Sequence, residues 1–228
     1  MNLPPKVLSV RRRIADAYLR GVGIEIGALY APLQTSANVR YVDRLPVEQL
    51  RAQYPELAST PLTPVDCIDD GERLTSFADE SLDFIIANHM LEHCENPLGT
   101  MRAHLEKVRR GGVLYYAIPD KRHSFDIERP ITSFEHLIDD DRDGGESSRF
   151  GHYMEYARLV NHFEAPADAE HNALEAMRIR YSIHFHVWDS DAWRNFLDKA
   201  SRYLAGTFDV LLFEQNDTEV ISVLRRSN

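Results

Sequence analysis

Hydrophobic and polar positions along this chain alternate between a helical and a strand-like period. Val10, Ile14, Ala17 and Tyr18 share one helical face, which predicts a short amphipathic helix stopped by Gly21. Gly23-Ile24-Glu25-Ile26-Gly27 then reads as a short strand entering a glycine turn, and residues 39–43 read as a second strand. A helical segment between Pro46 and Tyr54 turns Leu50 and Tyr54 inward, and residues 65–68 form a third, short strand. The fourth strand, residues 82–87, is nearly continuous in apolar residues, as expected of a strand covered on both faces. The next helix has Asn96 as its cap, Pro97 in its first turn, and Leu98, Met101, Leu105 and Val108 as its buried stripe. Gly111-Gly112 is expected to end it, and residues 113–118 form a fifth buried strand.

Between residues 120 and 181 the regular alternation stops. His, Arg, Asp and Tyr accumulate there, with helix starts expected at Thr132-x-x-Glu135, a capping-box pattern, and after Pro166. Order resumes with a strand at residues 184–188 and a helix carrying Trp193, Phe196, Leu197, Ala200 and Leu204. Two last runs, residues 207–213 and 219–224, flank Gln215-Asn216-Asp217 with the spacing of an antiparallel hairpin. Strands alternating with helices imply a doubly wound α/β sheet, mainly parallel, with a helical insertion after the fifth strand.

Composition narrows this picture. A chain of 228 residues, 43% hydrophobic and 27% charged, suits one domain over residues 1–228. A formal charge of −10 argues against nucleic acid or an anionic membrane surface as the main partner. Cys67 and Cys94 read as reduced thiols, and the arginines near the start have no apolar segment behind them. No apolar run reaches the ~20 residues of a membrane span, so a cytoplasmic protein is expected.

An open α/β sheet binds ligands beyond the carboxyl ends of its strands. Four polar signals stand at such ends: Glu25-x-Gly27-Ala28-Leu29, Asp43-Arg44, Asp69-Asp70-Gly71, and Asn88-His89 with Glu92-His93 one turn later. Asp43 suits a ribose hydroxyl pair, because one carboxylate can accept both protons. An acidic side chain and a backbone amide at residues 69–71 suit an adenine edge. The order of these signals, followed by Leu91-Glu92-His93, Gly111-Gly112-Val113-Leu114 and Ile118-Pro119, resembles the class I S-adenosylmethionine-dependent methyltransferases. Within them it is most similar to the small-molecule branch of the ubiquinone-biosynthesis type. The similarity spans residues 23–119 and 184–224.

That resemblance implies a Rossmann-like, seven-stranded sheet and S-adenosyl-L-methionine as cofactor. It places Glu25, Gly27, Ala28 and Leu29 beside the cofactor's amino-acid portion, and Asp43 on the ribose with Arg44 adjacent. It places Asp69, Asp70 and Gly71 at the adenine, Asn88 and His89 under the sulfur, and His93 toward the acceptor. One departure stands out: the family's first turn usually has three glycines, and here Leu29 occupies the second place. S-adenosylmethionine carries no pyrophosphate and tolerates a bulkier turn, whereas a dinucleotide does not.

The remaining candidates come from residue types. His93, His123 and His186 are candidate general bases, with Asp120 orienting an imidazole. His184 and His186 alternate on the expected strand, so both rings share a face that could hold a metal or an anionic acceptor. No cysteine or carboxylate stands at a fixed spacing from them, so no metal is expected. Tyr153, Tyr156 and Phe163 read as core. Residues 120–181 are expected to form the acceptor pocket, and Arg122, Arg129, Arg149 and Arg158 hint at an acidic acceptor. The combined expectation is O-methylation of a polar small molecule or an acidic sugar or glycan hydroxyl, with a homodimer left open. The other readings are a cofactor-binding module without catalysis and a nucleotide-dependent oxidoreductase.

Overall fold

Strand β4 (Leu82–Asn88) sends Ile85 and Ala87 to one side and Phe84 and Ile86 to the other, and both sides are fully buried. That two-sided burial requires a cover on each face. The computed structural model describes residues 4–227 and shows both covers. On one face α3 (Pro97–Lys107) and α7 (Ser190–Tyr203) pack Leu98, Met101, Trp193 and Phe196 against Ile24, Ile85 and Leu114. On the other, α1 (Pro5–Tyr18) lays Ile14 and Ala15 over Phe84, Ile86 and Tyr115. Each such aliphatic or aromatic side chain stabilises the fold by about 1.5–3 kcal/mol through burial.

The sheet has seven strands in the order β3-β2-β1-β4-β5-β7-β6. Strands β1 (Val22–Ile26), β2 (Asn38–Asp43), β3 (Cys67–Ile68), β4 and β5 (Val108–Pro119) are parallel. β6 (Phe208–Asn216) and β7 (Glu219–Arg226) form the terminal hairpin, with β7 antiparallel to β5. A short α2 (Val47–Gln53) follows β2. The insertion holds α4 (Phe134–Asp143), α5 (Arg149–Leu159) and α6 (Pro166–Arg178). Its own small core joins Tyr153 and Ala157 of α5 to Ala169 and Ala173 of α6, closed by Ile183 and Phe185. Among the described residues, no helix is long and apolar enough to cross a membrane.

The structure corrects several local expectations. The buried line of α1 runs through Val7, Arg11, Ile14 and Ala15, and Ala17 is exposed. A charged residue thus occupies a core position that apolar periodicity cannot detect. Gly111-Gly112 lie inside β5 instead of ending α3, which stops at Lys107. They form a bulge opposite Leu82–Phe84, where a Cβ on Gly112 would stand 2.8 Å from the Asp83 carbonyl oxygen. The cap of α4 is Ser133, whose hydroxyl accepts from the His136 N–H at 3.2 Å. Thr132, the expected cap, pairs with Val187 instead: its N–H donates to the Val187 carbonyl and its hydroxyl accepts from the Val187 N–H. Phe163 is exposed, not core.

Residues 184–188 do not join the sheet. They run extended beside it, with the Phe185 N–H donating to the Glu92 carbonyl at 2.7 Å. His184 and His186 therefore serve different neighbours: His184 Nδ1 donates to Asp126 at 2.6 Å, and His186 lies beside Asp140, His136 and His152.

The buried Arg11 is explained by Glu219, the first residue of β7. Arg11 Nε donates to Glu219 Oε1 at 2.8 Å and Nη2 donates to Oε2, closing a two-pronged pair. Asn216 Nδ2 and His89 Nε2 also donate to this carboxylate, each at 2.7 Å. Arg11→Met should therefore cost about 3–5 kcal/mol in urea unfolding, since it strands a buried carboxylate. The double variant Arg11→Met/Glu219→Gln should recover part of that loss.

Candidate active site

Strand order reverses between β1 and β4, because the chain leaves β1 toward β2 and leaves β4 toward β5 on opposite sides. Their carboxyl ends consequently border an open crevice. A cavity of about 560 Å³ lies there, within the usual range for ligand pockets of about 300–1,000 Å³. Its walls include Glu25, Gly27, Ala28 and Leu29 after β1, and Asp43 and Arg44 after β2. Asp70, Gly71, Asn88, His89 and His93 complete the set of expected residues that share it.

Glu25 is 1% exposed, and both its carboxylate oxygens accept from the Leu33 N–H, at 3.0 and 2.9 Å. Burial pushes its carboxyl up to about 7, against the Leu33 N–H, the Asn88 amide and the Arg11 charge. Asn88 Nδ2 donates to Glu25 at 3.1 Å, which leaves Asn88 Oδ1 buried without a partner. Gly27 turns with φ +65°, and a Cβ placed there would meet nothing within 4 Å, so open space lies beside the turn. Leu29 and His89 also hold left-handed backbone, at φ +45° and +51°. Strain of this kind in non-glycine residues collects at functional sites.

Asp43 accepts from the Arg44 N–H at 2.7 Å, while burial raises its carboxyl and this N–H and that of Leu45 oppose the rise. His93 Nδ1 stands 2.8 Å from the Ile183 carbonyl oxygen, to which it donates, so its Nε2 carries the lone pair. Burial and the adjacent His184 ring, 4.6 Å away and edge-on, push His93 down to about 3.

Four expected site residues stand outside the cavity walls. The Asp69 carboxylate accepts from the N–H groups of Asp70 and Ser76, both at 2.8 Å, and so fixes the turn that presents Asp70. Asp120 orients no imidazole; it holds the Arg122 guanidinium and caps a one-turn helix. Its carboxyl lies below the usual range, because Arg122 outweighs burial. His123 is exposed on that same turn. His186 is buried beneath the insertion.

The arginines read as an acceptor signal also lie elsewhere. Arg129 is fully buried and donates to Asp126, Glu155 and the His184 carbonyl, each at 2.8 Å. Arg149 pairs with Glu95 at 2.6 Å, Arg122 with Asp120, and Arg158 is exposed. None lines the cavity, and the argument for an acidic acceptor falls with them.

Sequence reasoning missed other walls of the cavity, among them Arg11, Tyr30, Tyr54, Met90 and Ser182. It also missed His104, a fully buried residue of α3 that ties Tyr116 Oη to the Gly71 carbonyl oxygen, at 2.9 and 2.7 Å. His104 sits one turn beyond Met101 and was hidden by its polar identity on an apolar stripe.

A family model described as a methyltransferase domain matches residues 21–201, most of the chain. The chain belongs to that family. It is an S-adenosylmethionine-dependent methyltransferase. No curated protein matches its sequence. Among solved structures, a Rhodobacter sphaeroides protein reported as a Zn-dependent alcohol dehydrogenase is 12% identical, over 100% of this chain and 92% of that one, with a TM-score of 0.59. A Haloferax volcanii methyltransferase, solved with the Trm112 methyltransferase activator, is 11% identical over 97% and 88% of the two chains, with a TM-score of 0.52. A Bacillus halodurans C-125 protein reported as a methyltransferase is 13% identical over 97% and 99%, with a TM-score of 0.50. Identities this low establish a shared fold and leave the family to the match over residues 21–201.

The cavity fits this methyltransferase's cofactor. The unpartnered Asn88 Oδ1 and the open space beside Gly27 suit an ammonium-bearing group, and the Asp43 carboxylate suits a diol.

One prediction follows from His104. Burial pushes this imidazole down to about 4, from an ordinary 6.5. The folded protein therefore keeps it neutral while the unfolded chain takes a proton, so its contribution is full above pH 6.5 and fades toward pH 4. His104→Gln should cost about 1–2 kcal/mol at pH 7.5. In urea titrations the gap to the native protein should narrow as the pH falls to 5.

Proposed function

We propose that this methyltransferase transfers a methyl group to a hydroxyl of a small polar acceptor, with His93 as the general base. What supports this reading is the convergence of Glu25, Asp43, Asp70, Asn88 and His93 on one cavity at the switch point of the sheet. Asp43 holds the two ribose hydroxyls, and Asp70 with the Gly71 backbone recognises the adenine edge. Glu25, Asn88 and the turn at Gly27 surround the amino-acid portion, while His89 lies beneath the sulfur. S-adenosylmethionine, when bound, supplies a methyl group already activated on a sulfonium.

The protein's own tasks are then to align the acceptor oxygen, exclude water and remove one proton. His93 suits the last of these. Its Nδ1 is held by the Ile183 carbonyl oxygen and Ser182 Oγ, at 2.8 and 3.1 Å, so the ring is fixed with Nε2 left to take a proton. Held at about 3, it is unprotonated throughout the neutral range, and is for the same reason a weaker base than an ordinary histidine. No residue of the insertion, 120–181, lines the cavity; Ser182, just beyond its end, stands on the wall beside His93.

Calorimetric titration with S-adenosylmethionine and, in parallel, NADH tests the cofactor assignment. S-adenosylmethionine alone should bind, and Asp43→Ala should weaken it about 10- to 100-fold through loss of a charge-assisted hydrogen-bonded pair. Preference for NADH would overturn the site assignment. Against a panel of hydroxylated acceptors and labelled cofactor, His93→Ala should lower kcat about 100-fold or more with KM little changed. In the native enzyme this group should impose no loss of turnover between pH 8 and 5, because it remains unprotonated there. An acceptor methylated equally well by His93→Ala would remove the base.

A further inference from the structure

A second cluster of side chains, outside the cavity, has the composition and spacing of a metal centre. His136 and Asp140 stand four residues apart on α4, so they share one face of that helix. His152 comes from α5 and His186 from the extended run beside the sheet. One ligand atom from each of the four lies within 4.8 Å of the others. His136 Nε2 is 3.0 Å from His152 Nε2 and 3.2 Å from Asp140 Oδ2.

We propose that His136, Asp140, His152 and His186 bind one divalent transition-metal ion, of which zinc is the best fit. Zinc takes four ligands tetrahedrally at about 2.0–2.2 Å, which sets neighbouring ligand atoms about 3.3 Å apart. The two separations, 3.0 and 3.2 Å, lie just short of that distance. Three imidazoles and one carboxylate are borderline-soft and hard donors of the kind zinc accepts, whereas calcium and magnesium prefer oxygen alone.

Two buried atoms point independently to a missing partner. His186 Nδ1 has no hydrogen-bond partner, and Asp140 Oδ2 lacks one of good geometry, the His136 ring nitrogen standing 3.2 Å away; both residues are 1% exposed. Unpartnered polar atoms at this depth are costly, and a cation satisfies a carboxylate oxygen and an imidazole lone pair together. The outer contacts are those of a supported site. Ser148 Oγ donates to Asp140 Oδ1 at 2.6 Å and fixes the carboxylate, and the Glu95 carbonyl oxygen lies 3.4 Å from His186 Nε2. His136 is partly exposed and provides a route for the ion.

Such an ion would staple α4 and α5 to the segment that backs the cavity, since the His186 N–H donates to the Glu92 carbonyl next to His93. It is separate from the transfer site, so its role is to hold the insertion in place.

The test is metal content and spectrum of the full chain, purified without a histidine tag and then given ZnCl2 or CoCl2. One zinc per chain is expected, and the cobalt form should show the strong visible absorption of a tetrahedral centre. Melting temperature should rise with added zinc. His136→Ala, the least buried position, should keep native circular dichroism while zinc falls below about a tenth of an equivalent. His152→Asn should do the same, and His171→Ala, on the exposed face of α6, should retain the ion. Overturning results are a folded native chain that takes up neither metal, or metal content unchanged in the His136→Ala/His152→Asn double variant. Retention there with loss in His184→Ala would assign the ion to Glu92, His93 and His184 instead, and would equally overturn the proposal.

Discussion

The pairing of Arg11 with Glu219 governs the geometry around the cavity, because it is the point where α1, the terminal hairpin and the turn after β4 meet. Two charges taken out of water cost several kcal/mol each unless geometry and added hydrogen bonds offset the loss. Here Arg11, His89 and Asn216 all donate to the one carboxylate, and Arg11 with His89 overcomes burial and holds Glu219 at about 2. The same network holds the ring of His89, whose backbone is left-handed. Asn88, the last residue of β4, lies on the cavity wall just before it with an unpartnered oxygen. One part of the cavity wall is thus held in place by a buried ion pair.

The insertion follows a different logic from the sheet. Its helices share few large apolar residues, and small alanines on α5 and α6 let those two helices close on each other. Polar side chains do the remaining joining. Arg129 ties the segment at Asp126 to Glu155 on α5 and to the carbonyls of residues 184 and 185. The four-residue cluster of His136, Asp140, His152 and His186 joins α4 and α5 to the same run. An arginine-rich and histidine-rich stretch therefore reads, in sequence, like a ligand-binding loop, while much of its charge is consumed internally. His93 is affected by both halves: its ring is held by residues 182 and 183, and its low proton affinity reflects burial beside His184.

Apolar periodicity by itself determined the parallel sheet, the two-sided core and the terminal hairpin, since those follow from local burial patterns along β4, α3, α7, β6 and β7. The strand-end signals Glu25, Asp43, Asp70 and Asn88 were legible for a related reason: the carboxyl ends of parallel strands converge whatever the intervening loops do. What depended on partners distant in sequence was not legible. Arg11 needs Glu219, 208 residues away, before it can be buried, and His104 needs the Gly71 carbonyl, 33 residues away. Asp120 and His123 begin at the active edge of the sheet, yet a one-turn helix and the Arg122 pair direct them elsewhere. His186 was visible as a histidine, but three elements had to fold together before its neighbours could be known. Sequence fixes which residues want burial or partners; only the tertiary structure decides which distant groups satisfy them, because desolvation and hydrogen bonding act through space and not along the chain.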